Sequence, residues 1–291
     1  MKRIVFIAFF ACACGGAPGH HAAPAGNDVS ASAKAEGMDT ASLGDVIRGA
    51  HRSEKNRARD MSRHPEATLT FFGIAPDLEV VELWPGRGWY TEILAPYLRA
   101  HGKLTVVAPV PGSVPPQAPT VDTIRETLAA RPDLYDRVAI APVNPNEQPK
   151  FGAPGSADLV VTFRNAHNWI HDGNADAMFR AAFDVLRPGG TLGVVDHRAK
   201  AGTSPEALAK SGYVTEEQIT ALAKEAGFVF AAASEINANP RDTKDYPDGV
   251  WTLPPALRLG DKDRSKYEAI GESDRMTLRF QKPMQAKQKT R

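Results

Sequence analysis

The stretch EVVELWPGRGWYTEILAP, residues 79–96, decides the fold. Val80, Val81 and Leu83 form a short apolar run, and a Pro-Gly-x-Gly turn follows. Ile93, Leu94, Tyr97 and Leu98 then mark an amphipathic segment. Strand, glycine turn and helix start in this order open the ligand sites of open α/β sheets. Gly86 and Gly88 let the backbone approach a ligand closely, and the first N–H groups of the next helix face it.

Downstream the same alternation continues. Strands are predicted over 103–108, 137–141, 157–163, 191–196, 228–233 and 276–281, with helices over 120–130, 174–186 and 215–226. The run ADLVVTF (157–163) is almost wholly apolar, as a strand buried on both faces must be. The order predicts an α/β fold: a Rossmann-like, seven-stranded, mostly parallel sheet with helices on both faces and an antiparallel last strand. Residues 235–274 separate the last two strands and contain Pro240, Pro247, Pro254 and Pro255. A connection of that length reads as a lid-like insertion.

Upstream, a helix is predicted from Ser42, with Leu43, Val46, Ile47, Ala50, Ala58 and Met61 roughly on one face. Arg48, Arg52, Glu54, Lys55, Arg57, Arg59 and Asp60 make its charged face. A second short helix follows Pro65, and together they form an N-terminal helical extension. Residues 15–40 are rich in Ala, Gly, Ser and Pro and read as a flexible linker. Met1-Lys2-Arg3, the apolar run 4–11 and Cys12-Ala13-Cys14 resemble a bacterial lipoprotein signal over residues 1–14, with Cys14 or Cys12 as the lipidated residue. About 8 apolar residues are too few to span a bilayer, which takes roughly 20. The expectation is an exported, periplasmic protein that meets the membrane only through its N-terminal lipid anchor. The folded domain is expected over 41–285, followed by a basic tail, 286–291.

Composition narrows the function classes. The 291 residues carry 35 Lys plus Arg against 34 Asp plus Glu, a balance that gives no basic footprint for nucleic acid. Both cysteines lie in the signal, so the domain has no thiolate metal site, no cysteine nucleophile and no internal disulfide. The partner expected is a small-molecule substrate, and the oligomeric state is open.

Leu186-Arg187-Pro188-Gly189-Gly190 before the fifth strand, together with the glycine turn and the buried fourth strand, resembles the class I S-adenosylmethionine (SAM) methyltransferase fold. Four stretches resemble, more narrowly, a bacterial family of predicted, often exported methyltransferases. They are ELWPGRGWYTEILAPYL (82–98), TFRNAHNW (162–169), VVDHRA (194–199) and GESDRMTLRF (271–280). The resemblance implies a SAM-dependent methyltransferase, with Glu82, Trp84, Gly86, Gly88, Tyr90, Thr91 and Asn165 at the cofactor. Trp84 stands in place of that pattern's first glycine. Ala108-Pro109 stands where the superfamily tends to carry the acidic residue that binds the ribose.

Ligands of open α/β sheets sit outside the carboxyl ends of the strands, which brings residues 164–172 to the glycine turn. His167 is the candidate base, because imidazole titrates near neutrality. Asn165 is placed to orient a substrate or the cofactor amine, and Arg164 to pair an anionic group. Arg198, Arg241 and Trp251 are candidate substrate contacts, and Asp274-Arg275 reads as a structural ion pair. Two further readings stay open: an exported protein of this fold that no longer uses SAM, and a metal-dependent hydrolase built on His167, His171 and His197 with Asp196. No metal site is assigned.

Overall fold

The strands alternate their side chains between two cores. In the computed structural model, which describes residues 41–284, β1 (Glu79–Leu83), β2 (Lys103–Pro109) and β4 (Ala157–Phe163) lie side by side and parallel. Val80, Leu104, Val106, Leu159 and Val161 face one way, while Val81, Leu83, Val107 and Val160 face the other, as the two-residue period of a strand requires. With β3 (Ala139–Val143), β5 (Leu186–His197), β6 (Val229–Ser234) and β7 (Arg275–Gln281), the order is β3-β2-β1-β4-β5-β7-β6. Only β7 runs against its neighbours, β5 and β6. The mostly parallel, Rossmann-like sheet expected from the sequence is present. Strand order reverses direction between β1 and β4, so the ligand crevice of such a fold opens at their carboxyl ends.

One core takes the N-terminal helices α1 (Leu43–Arg48), α2 (Glu54–Arg57), α3 (Asp60–Arg63) and α4 (Pro65–Phe72). It also takes α5 (Thr91–Leu98), α6 (Val121–Ala129) and α7 (Pro132–Tyr135). The other packs α8 (Ala166–Asp172), α9 (Ala175–Val185) and α11 (Glu216–Glu225), with the short α10 (Pro205–Leu208) between β5 and α11. Residues 235–274 carry a 3₁₀ turn, Gly249–Thr252, and α12 (Arg264–Ile270). This segment is tied to the body: the buried Asn237 amide donates to Thr68 Oγ1 (3.0 Å) and Thr277 Oγ1 (2.9 Å). No helix among the described residues is long and apolar enough to cross a membrane. The expected signal 1–14 with Cys12 and Cys14, the linker 15–40 and the tail 286–291 lie outside the described residues.

Several local expectations are corrected. The single helix from Ser42 is three short ones. The first ends at Gly49, and Ser53 Oγ starts a new turn by accepting from the Asn56 N–H (3.2 Å). The break turns Arg52 inward, to 1% exposure, although it was expected on a solvated face. Its guanidinium grips Asp60 with two bonds (2.7 and 2.9 Å), Glu92 (2.8 Å) and the Ile47 carbonyl (2.8 Å). Met61, expected on the apolar face, is 84% exposed. β3 begins two residues later than predicted, and β5 reaches back through the Arg-Pro-Gly-Gly segment to pair Leu186 with Ala157. Arg275 pairs with Glu272 rather than Asp274, which instead holds Arg198 and Lys244.

Candidate functional site

Two neighbouring strands leave the sheet by the same unusual step. Trp84 after β1 and Arg164 after β4 both have left-handed backbone, φ 50° and 62°. For a side chain with a Cβ that conformation costs about 1–2 kcal/mol, so the surroundings must hold it. Asn165 does so: its amide nitrogen donates toward the carbonyls of Leu83 (3.1 Å) and Trp84 (3.3 Å) and to Thr162 Oγ1 (3.1 Å). The Trp84 indole packs edge-on against Trp169 with ring centres 5.4 Å apart, on the core side of the turn. Trp84 therefore holds the left-handed backbone that glycine adopts without strain while filling the core beside β4.

Ahead of it, Gly86 (φ 62°) faces open space: a Cβ added there meets no atom of the described residues within 4 Å. Gly88 (φ 83°) is buried against Thr127 and Ile124. The other turn residues point away from the opening. Glu82, 2% exposed, accepts from Thr91 Oγ1 (2.7 Å), and burial pushes its carboxyl up to about 7 against the pull of that bond. Tyr90 stacks flat on Phe163 (3.5 Å, 9°) with its hydroxyl buried. Of the expected cofactor residues, Gly86 thus faces open space and Trp84 is half-buried with its indole on the core, while Gly88, Glu82, Tyr90 and Thr91 are buried behind the turn. Asn165 offers a ligand only its carbonyl oxygen. At the end of β2, Ala108 is buried, and Asp122, the next carboxylate in the chain, is an exposed partner of Arg125.

The second half of the site is built on β4 and β5. His167, on the first turn of α8, has its Nδ1 2.8 Å from Asp196 Oδ1, and its backbone N–H donates to Asp196 Oδ2 (3.0 Å). Asp196 is fully buried and also accepts from the His197 N–H (2.7 Å). A carboxylate at Nδ1 makes that nitrogen the proton carrier and leaves Nε2 as acceptor in the neutral ring. His167 opens on a cavity of about 620 Å³ lined also by His171, Tyr213, Lys210, Gln218 and Trp251. The sequence offered Asp196 only as a member of a candidate metal cluster; its role as the partner that orients His167 was not legible there.

His167, Asp196 and His197 come within 4.8 Å of one another, as a metal site would need, while His171 is exposed and outside that group. Both Asp196 oxygens, however, are taken by N–H donors, which makes it an orienting acceptor rather than a spare ligand. His197 faces Ser273 Oγ (2.5 Å), and burial first, then His167 and the arginines near it, hold it well below the usual histidine range.

Of the expected substrate contacts, Trp251 lines the cavity, 6.4 Å from His167 between ring centres. Arg198 does not serve as one. Five hydrogen bonds to Asp274, Glu216 and Glu235 consume its guanidinium and join β5, α11 and the segment after β6. Arg241 is exposed near Gly271 and is not among the cavity's lining residues.

With this geometry in place, comparison with known proteins decides the fold. A SAM-dependent methyltransferase from Aquifex aeolicus superposes with a TM-score of 0.51 at 14% identity, covering 83% of this chain and 99% of that one. The fold is that of the class I SAM-dependent methyltransferases. The [4+2]-cyclase SpnF is similar to the same degree, with a TM-score of 0.51 at 18% identity over 77% of this chain and 81% of its own. At these identities the likeness is one of fold alone, and SpnF is named as a cyclase rather than a methyltransferase. No protein-family model matches the sequence, and no curated protein matches it.

Proposed function

We propose that this protein is a SAM-dependent methyltransferase acting on a small-molecule acceptor bound in the His167 cavity. The observation that carries the reading is the His167–Asp196 pair at the carboxyl edge of a methyltransferase fold, facing a cleft of about 620 Å³ that is open to solvent on one side. The Gly86–Gly88 turn and the Asn165 carbonyl would hold the cofactor, and the open space at Gly86 fits a ligand at the backbone. SAM, when bound, supplies an electrophilic methyl group. His167 Nε2 takes the proton of the acceptor's hydroxyl, amine or thiol, and Asp196 keeps Nδ1–H in place and stabilises the imidazolium that forms. Trp251 and Tyr213 wall the cavity and limit water at the reacting atoms.

One observation favours a second reading, an exported protein of this fold that binds another ligand. Ala108-Pro109 offers the ribose hydroxyls no carboxylate, so one usual contact of the cofactor is absent. The expected lipoprotein signal agrees with it, since SAM is made and kept in the cytosol. A hydrolase using a metal at His167, Asp196 and His197 is supported less, because the Asp196 oxygens are already engaged.

Calorimetric titration of the purified protein with SAM and with its demethylated product separates the first two readings. Binding heat and a thermal shift are expected, and the absence of both sinks the methyltransferase reading. Labelled-palmitate incorporation, lost only when the lipid-bearing residue among Cys12 and Cys14 is replaced, tests the proposed anchor.

A further inference from the structure

Four arginines converge beneath the N-terminal helices around a single carboxylate. Arg59 and Arg63 flank α3, Arg164 follows β4 and Arg275 begins β7, so two of the four stand at the carboxyl edge where the ligands of this fold bind. Glu272, 8% exposed, accepts from Arg59 Nε (2.7 Å) and Arg275 Nη1 (3.0 Å). Arg63 Nε lies 3.6 Å from it, an ion pair too long for a hydrogen bond. Four positive charges thus face one negative charge.

The donors tell the same story. Arg59 Nη2, Arg63 Nε, Arg63 Nη2 and Arg275 Nε are buried with no hydrogen-bond partner among the described residues. The side chains of Arg63 and Arg275 are each 4% exposed. The Arg164 guanidinium makes no ion pair or hydrogen bond among the described residues. Trp89 offers Arg63 a ring face at 4.4 Å, and Ser62 a carbonyl to Arg275 Nη2, neither of which carries a full charge. His197, beside the cluster, is held neutral. Burial, and then the neighbouring Arg164, push Arg63 toward proton loss, and burial does the same to Arg164. An arginine does not yield its proton in a protein, so charge this poorly matched is relieved by an anion instead.

We propose that Arg63, Arg164 and Arg275, with Arg59, form a receptor for a compact dianionic oxyanion, a phosphate group either free or carried on a small ligand. A dianion offsets most of the three excess charges, and its oxygens supply enough lone pairs for the four orphan nitrogens. A lone carboxylate offsets only one charge. Guanidinium forks suit phosphate oxygens. The proposal stands whether or not the protein uses SAM.

The test is thermal unfolding of the full chain at fixed ionic strength, with chloride replaced stepwise by inorganic phosphate, by glycerol phosphate or by acetate. A saturable rise in Tm with phosphate and none with acetate is expected. A tighter midpoint for glycerol phosphate marks an esterified ligand, and a tighter one for inorganic phosphate a free anion. Arg164→Gln, which removes an unpaired side chain, is expected to weaken phosphate binding at least about tenfold. Glu272→Gln, which removes the competing carboxylate, is expected to strengthen it. Equal effects of phosphate, acetate and chloride, or a phosphate midpoint unmoved by Arg164→Gln, overturn the proposal.

Discussion

Asp196 holds His167 from two sides, with one oxygen 2.8 Å from Nδ1 and the other accepting the backbone N–H at 3.0 Å. The ring and the helix turn that carries it are therefore set by one buried carboxylate. Neither residue is near the other in sequence. Parallel pairing of β4 with β5 brings the two strand ends together, Phe163 opposite Val195.

The first expectation follows from that pairing. Asp196→Asn puts an amide where an acceptor-only group stood, so the imidazole can reverse its tautomer and turn Nε2 into a donor. Under the proposed chemistry the turnover number should fall by on the order of 10²–10⁴, with little change in KM. Steady-state kinetics decide it. A loss confined to KM would make Asp196 a packing residue.

Glu82 yields a stability prediction. Its folded carboxyl sits at about 7 against an ordinary 4.5, so the folded state holds its proton more tightly than the unfolded chain does. Stability is therefore lost as pH rises through this window. Glu82→Gln should stabilise the protein at pH 8 by on the order of 3 kcal/mol and change little at pH 4. Urea unfolding at both pH values measures the difference. A variant less stable at pH 8 would show that Thr91 and its neighbours need the charged form.

Burial of His197 acts in the opposite direction. Its folded state is neutral well below the usual 6.5, whereas the unfolded chain takes up a proton there. Stability present above pH 6.5 is lost as pH falls below it. His197→Gln should flatten that slope between pH 6.5 and 5 in thermal melts, and an unchanged slope would assign the acid sensitivity to other groups.

Arg52 holds the N-terminal helices to the first turn of α5 through Asp60, Glu92 and the Ile47 carbonyl. Arg52→Ala leaves two carboxylates without their buried cation, and a loss of about 3–5 kcal/mol is expected in denaturant unfolding. Arg48→Ala, whose only described ion pair joins two exposed side chains, should cost less than about 1 kcal/mol and serves as the comparison.

The sequence by itself determined the elements and their order. Apolar runs such as 157–163 leave a strand no surface to show water, the Pro-Gly-x-Gly turn leaves few backbone choices, and together they specify a parallel α/β sheet. His167 was legible as the candidate base from residue type and its place after the fourth strand. Other features depended on distances that no local pattern encodes. Arg52 read as solvated because periodicity cannot see Glu92, forty positions on, waiting beneath it. Arg198 read as a ligand contact because its three carboxylate partners come from separate segments. Asp196 became the partner of His167, rather than a candidate metal ligand, only when strand pairing set the two together, and the arginine cluster exists only where α3, β4 and β7 meet. Trp84 shows the division within one residue. Sequence marked it as a departure from glycine. Tertiary packing decided its direction, because Asn165 holds the left-handed backbone while Trp169 receives the indole.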